Sequence, residues 1–438
     1  MLQMRVGLAL ALVVGACSDA GAPQPPPLGG VEGGAAGAAQ GGAAGAAEGG
    51  AAGAAEGGAA GAGAAEGGAA GAGGSAGAGT LPGRVQRPNL IVSRSATAFS
   101  SPANGAAVID GQYHNGGWSA GSPSDAAPSW VALRLAAGPT RLLLSWDDGG
   151  TYNYQDLPGT MVYGLPAAYH VDVSADSTDG VDGTWEAVAT VADNSVRTRA
   201  HAFDFTGKSW VKLVITAPPP AAPNGVSIGE IDVHDISATG SGLPEDTWFF
   251  MGDSITAFAY DRAGVHQPSF AAGVNSAVSA FYPAMINGGI GGETSAGALL
   301  RLPDTLSRNP DYRFFILGYG TNDAANSQIP VAQFKANLQS MVDLVKAAGR
   351  EPIIPHIPPS ADGSHAAIPD YNTAIDELTA ANDLVVGADL YAYFNSDTAL
   401  FTCPPCGGTR MTDNLHPNDT GLAGMNRAWS EAMRALYP

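Results

Sequence analysis

Four short segments in the second half of the chain carry residue types suited to acyl transfer. Gly252-Asp253-Ser254-Ile255 follows an apolar run. A serine there, with a helix starting behind it, presents its hydroxyl to a cleft and its own N–H toward an anion. Asn287-Gly288-Gly289-Ile290-Gly291-Gly292-Glu293-Thr294 is a glycine-rich turn whose backbone can approach a substrate closely and aim N–H groups at it. Its spacing does not match a dinucleotide-binding G-x-G-x-x-G with the expected acid downstream. Gly320-Thr321-Asn322-Asp323 offers an asparagine amide, a donor that can meet a developing oxyanion without changing charge. Asp413-Asn414-Leu415-His416 sets an acid three residues before a histidine. That spacing lets the carboxylate reach Nδ1 while Nε2 faces the serine. Taken singly, each segment also reads as ordinary turn or helix-cap chemistry. Their joint occurrence, in this order and each beside a core element, is far more specific.

The ordered set resembles the four blocks of the SGNH (GDSL-type) hydrolases, named for their Ser, Gly, Asn and His, over about 190 residues of this chain. The resemblance implies Ser254 as nucleophile, His416 as its base and Asp413 as the acid that orients the base. It implies an oxyanion hole from the N–H of Ser254, the N–H of Gly292 (or of Gly291, since the turn has both) and the Asn322 amide. It implies a carboxylic ester hydrolase working through an acyl-enzyme, with no cofactor needed for catalysis.

The elements that must position these residues are legible as a change of period. Trp248–Met251, Arg313–Leu317 and Pro352–Pro355 are continuous apolar runs, the mark of strands buried on both faces. Val331, Phe334, Leu338, Met341, Val342 and Val345 share one helical stripe, Asp383–Val386 reads as a further strand, and Leu422–Leu436 as a closing helix. Strands alternating with helices predict a three-layer, flavodoxin-like parallel α/β sheet over residues 247–438, with ligands at its carboxyl edge. Residues 238–246 read as a polar, glycine-rich connection.

Residues 86–240 have a different period. Val131, Leu133 and Leu135 alternate with Ala132 and Arg134, and Tyr169, Val171 and Val173 with His170, Asp172 and Ser174. Short runs at Arg141–Trp146, Trp185–Val191, Ala202–Phe205, Trp210–Ile215 and Glu230–His234 complete an antiparallel β-sandwich pattern. Asn89-Leu90-Ile91 with Ser95–Ala98, Asp110-Gly111 with Gly117-Trp118-Ser119, and Ile228–Ile231 resemble discoidin-type (coagulation-factor type C) modules. This resemblance implies a jelly roll that binds sugars through its loops. It also implies a structural calcium held at Asp110 and Glu230, as oxygen ligands suit that cation. Tyr113, His114 and Trp118 are candidates for a sugar-stacking loop, with Trp118 reading better as core.

Arg5, the apolar run Val6–Val14 and then Gly15-Ala16-Cys17 read as an export signal too short to span a bilayer. They resemble a bacterial lipoprotein signal over residues 1–17, with Cys17 lipidated and the protein held extracytoplasmically on a membrane. Residues 18–85 are a Gly/Ala tract with near-repeats of GGAAGAAE. Residues 33–80 hold no apolar side chain larger than alanine and cannot bury a core, so the tract reads as a disordered tether with a reach of about 45 Å. With Cys17 set aside, Cys403 and Cys406 remain as a pair suited to a structural disulfide. Twenty Lys and Arg against 40 Asp and Glu give a formal charge of −20, which excludes nucleic acid as a partner.

Export, the sugar-module resemblance and a likeness to two-domain acetylxylan esterases together imply an enzyme that removes acetyl groups from polysaccharide or oligosaccharide. The alternatives are a lipase, lysophospholipase or thioesterase acting on lipid, and a non-catalytic carbohydrate-binding surface protein.

Overall fold

A computed structural model describes residues 83–111, 117–147, 164–219, 225–261, 269–325, 329–360, 364–396 and 415–438. These residues belong to one compact unit. Cys17, Tyr113, His114, Cys403, Cys406 and Asp413 lie outside them. No described helix is long and apolar enough to cross a membrane.

The first part is antiparallel. β1 (Leu90–Ile91), β11 (Glu230–Asp235), β5 (Arg141–Asp147) and β8 (Thr198–Asp204) form one sheet in that order. β2 (Thr97–Ser101), β4 (Ser129–Arg134), β9 (Trp210–Ala217), β6 (Ala168–Ser174) and β7 (Trp185–Val191) form a second. β3 (Trp118–Gly121) and β10 (Val226–Ile228) pair separately. Alternate residues of both larger sheets meet in a shared core that includes Leu133, Leu144, Trp146, Tyr169, Val171 and Val233. This is the expected sandwich, with every forecast run lying in or overlapping a strand. Trp118 is a core residue, its indole N–H donating to the Pro102 carbonyl at 2.9 Å.

The second part is a parallel sheet of β13 (Ala284–Asn287), β12 (Thr247–Gly252), β14 (Phe314–Gly318) and β15 (Glu351–Ile353), in that order. The bridge from Ile354 to Val386, also parallel, falls where a further strand was expected. Along β12 every residue is buried, because alternate side chains serve two cores. Trp248 and Phe250 face α1 (Ser254–Asp261), α2 (Phe270–Ala277), α7 (Leu390–Asn395) and α8 (Asp419–Ala432). Phe249 and Met251 face α3 (Ser295–Arg308), α5 (Val331–Ala347) and α6 (Ile368–Ala381). Paired register stacks Trp248 on Phe314, with centroids 4.1 Å apart, and Phe249 on Phe315 at 5.2 Å.

The two parts share a core. Leu143, Ala200 and Ile236 of the antiparallel part are buried in one cluster with Phe249, Ile286, Leu302 and Tyr312. That is why Leu142-Leu143-Leu144 lacks alternation: the sheet carrying β5 is covered on both faces. The glycine-rich connection is also packed. Arg141 Nη1 donates to the carbonyls of Gly240 and Gly242 at 2.5 and 2.6 Å, and Asp246 is buried against Trp248 and Tyr437.

Candidate active site

Ser254 is the first residue of α1, directly beyond β12. The chain must reverse from strand to helix within two residues there. A Cβ on Gly252 would lie 2.1 Å from Thr256 Oγ1 and 2.8 Å from the Gly318 carbonyl, so only glycine fits. Ser254 Oγ and His416 Nε2 are 2.9 Å apart, although 162 positions separate the two residues. His416 is delivered by the segment leading into α8, whose N-cap Asn418 accepts from the Gly421 N–H at 3.0 Å. The Phe258 ring meets the imidazole edge-on at 5.2 Å. A serine hydroxyl hydrogen-bonded to a histidine, at a helix N-terminus, is the arrangement that nucleophilic catalysis requires.

The glycine turn runs alongside. A Cβ on Gly289 would approach the Ala257 nitrogen to 2.4 Å, so the turn lies flat on the first turn of α1. Gly292 has φ +76°, a conformation that glycine adopts without strain. Asn322, in α4 (Thr321–Ala324), donates Nδ2 to the Glu293 carbonyl at 3.0 Å. One N–H of the amide thus fixes the side chain against the turn, and a primary amide has a second to offer.

Beneath the turn lies a buried polar network that the sequence reading did not contain. Glu293, fully buried, takes Arg301 Nε and Nη2 in a bidentate pair, both at 2.7 Å, and the Tyr319 hydroxyl at 2.7 Å. Arg301 Nη2 also donates to the Gly288 carbonyl at 2.8 Å. Burial pushes the Tyr319 phenol well above its ordinary pKa. Asp323 receives the Ser295 N–H at 3.0 Å and its hydroxyl, tying the start of α3 to α4. Asp253 is buried, its pKa pushed up to about 7 by desolvation, although the Ile255 N–H at 2.9 Å favours its charged form. The signal for this network was present as a Glu directly after the turn and an Arg on the following helix. Only the fold shows that they meet.

Asp413 lies outside the described residues, so Ser254, Gly292, Asn322 and His416 are the expected catalytic and oxyanion-hole residues whose placement is known. The two residues expected to hold calcium differ in their settings. Glu230 is buried, its Oε1 accepting from Arg94 Nη1 and from the Gly111 N–H at 3.3 Å, while its Oε2 is buried without a hydrogen bond. Asp110 is exposed. Among the described residues, no group of three or more His, Cys, Asp or Glu is arranged to hold a metal.

Residues 250–423 match the model of the GDSL-like Lipase/Acylhydrolase family. The parallel part is therefore a GDSL/SGNH hydrolase domain, carried behind an antiparallel one. Among solved structures, the chain is similar to the lipase/acylhydrolase from Enterococcus faecalis at 24% identity and TM-score 0.36, covering 43% of this chain and 95% of that one. It is also similar to a catalytic mutant of an acetylxylan esterase from Geobacillus stearothermophilus at 18% identity and TM-score 0.35, covering 43% and 94%. TesA matches at 21% identity and TM-score 0.36, covering 43% and 99%. Comparison with curated proteins found no match.

Proposed function

We propose that this protein is an exported serine esterase that removes short acyl groups, chiefly acetyl, from carbohydrate. The observation that carries the reading is the 2.9 Å contact between Ser254 Oγ and His416 Nε2, made beside a glycine turn and an asparagine amide within the segment that matches the family model. Ser254 attacks the ester carbonyl as His416 takes its proton, and Asp413 orients the imidazole. The oxyanion is met by the N–H groups of Ser254 and Gly292 and by the Asn322 amide. His416 then returns the proton to the leaving alkoxide, and water repeats the sequence on the acyl-enzyme.

The carbohydrate assignment is supported by the sandwich and by its discoidin-like motifs, which we read as a jelly-roll sugar-binding module. Cys17 would anchor the chain to a membrane by lipid, the Gly/Ala tract would set its reach, and a Cys403–Cys406 disulfide would stiffen the segment leading to Asp413. The test is acetate release from acetylated xylan by the wild-type chain beside Ser254→Ala. Release that disappears in the variant supports the whole reading. Cleavage of short aryl esters without release from xylan would remove the carbohydrate assignment and leave the nucleophile. Equal turnover by both proteins would sink the mechanism.

A further inference from the structure

Backbone N–H groups can face a cleft only if the carbonyls of the same turn face inward, where each needs a donor. The glycine turn meets this demand from two directions. The Gly288 carbonyl takes Arg301 Nη2 at 2.8 Å, from within the hydrolase domain. The Gly289 carbonyl takes Arg197 Nη1 at 3.2 Å, and Arg197 belongs to the antiparallel part. Arg197 stands immediately before β8, is only 3% exposed, and reaches across 92 positions of sequence to this contact. One and three residues further on, Thr198 and Ala200 are buried as well, and Ala200 packs into the core that both parts share. The arginine is therefore delivered by a rigid, packed strand to a carbonyl three residues before Gly292.

We propose that Arg197 is a positioning residue of the esterase: the antiparallel part, besides whatever it binds, holds the oxyanion turn in place. The inference rests on the reading of Gly292 N–H as an oxyanion donor. A charged donor in a buried site is stronger than a neutral one, and water cannot readily replace it there. Without it, the Gly289 carbonyl is left unpaired and the turn gains a reason to rotate. A rotated turn still admits substrate but meets the developing oxyanion poorly, so the loss belongs to kcat rather than KM.

The experiment uses the full chain with a short aryl ester, comparing wild type, Arg197→Met, Arg197→Lys, Arg308→Ala and Ser254→Ala. Arg308→Ala removes another contact between the two parts, Arg308 Nη1 to the Asp193 carbonyl at 3.0 Å, away from the turn. Arg197→Met is expected to lower kcat about 10- to 100-fold with KM changed less than about threefold, a smaller loss than the roughly 100- to 1000-fold cost of removing an oxyanion-hole donor outright. Arg197→Lys should recover part of that loss, and Arg308→Ala should keep kcat. Binding of a boronate oxyanion mimic should weaken in step with kcat. An Arg197→Met enzyme with unchanged kcat overturns the proposal, as does an equal fall of kcat in Arg308→Ala. If Arg197→Met does not fold, Arg197→Lys and its boronate affinity decide, unchanged affinity being the overturning result. Wild-type activity that survives Ser254→Ala is a different failure: it removes the esterase mechanism itself, and this proposal with it.

Discussion

Burying Glu293 completely forces its charge to be met inside the protein, and Arg301 and Tyr319 meet it. A buried pair of this kind contributes little net stability over an apolar substitute, but breaking it from one side leaves a stranded charge. Arg301→Met should therefore cost about 3–5 kcal/mol in denaturant unfolding and also lower kcat, because the Gly288 carbonyl loses its donor. Pairing it with Glu293→Gln should return part of the stability, and a strictly additive double variant would refute the coupling. Asp246 makes a separate prediction, far from the chemistry. Its pKa is pushed up to about 7 by burial, Oδ1 accepts from Trp248 Nε1 and Tyr437, and Oδ2 is buried without a hydrogen bond. Between pH 4 and 7 the folded state keeps this proton and the unfolded state does not, so stability falls as pH rises through that window. Asp246→Asn keeps the accepting oxygen and cannot ionise. Relative to wild type it should be near neutral at pH 4 and more stable by a few kcal/mol above pH 7. A stability difference that does not change with pH would contradict the assignment.

The elements around the site work by close approach, and that is where their sensitivity lies. Gly289→Ala would drive a methyl toward the Ala257 nitrogen, now 2.4 Å from that position, and lift the turn off α1. A displacement of that size should lower kcat on the order of 100-fold while a folded protein remains. At the other side of the cleft, Asn418→Ala removes the N-cap of α8, two residues beyond His416. It should cost about 1 kcal/mol in thermal unfolding and reduce kcat more than it changes KM. The parallel strands and α5 were legible in the sequence because Trp248–Met251 and the stripe from Phe334 to Val345 have periods with one structural meaning. The four motifs were legible because each carries its chemistry in a few adjacent residues. The partners of those motifs were not. Glu293, Arg301 and Tyr319 stand in separate elements, and nothing local marks a Glu after a turn as buried. The partner of Glu230 was hidden for the same reason: an acid on a strand reads as a ligand for a cation, and only the fold shows the Arg94 guanidinium beside it.

At the scale of the molecule, the question is whether the antiparallel and parallel parts are separable. Leu143 faces away from the sandwich core and is fully buried among hydrolase residues, with Ala200 and Ile236 beside it. On the other side of that contact, Ile286, Leu302 and Tyr312 are equally buried. The N-terminal edge is shared too: the Val85 N–H donates to the Leu436 carbonyl at 2.7 Å, and the Tyr282 N–H to that of Asn89 at 2.5 Å. Interfaces between independent domains are typically more polar than this and tolerate relative motion. A shared apolar core instead couples the unfolding of both sides. The chain from about residue 83 onward should therefore melt in one calorimetric transition. Leu143→Ala, a buried truncation of the kind that costs about 2–5 kcal/mol, should lower that single transition rather than split off a component. Residues 247–438 expressed alone would expose the Ile286–Leu302–Tyr312 surface and should be aggregation-prone and poorly active. Two well-separated transitions, with the upper one unmoved by Leu143→Ala, would show that the hydrolase domain stands by itself. In that case the sandwich could influence the site only through local contacts such as that of Arg197.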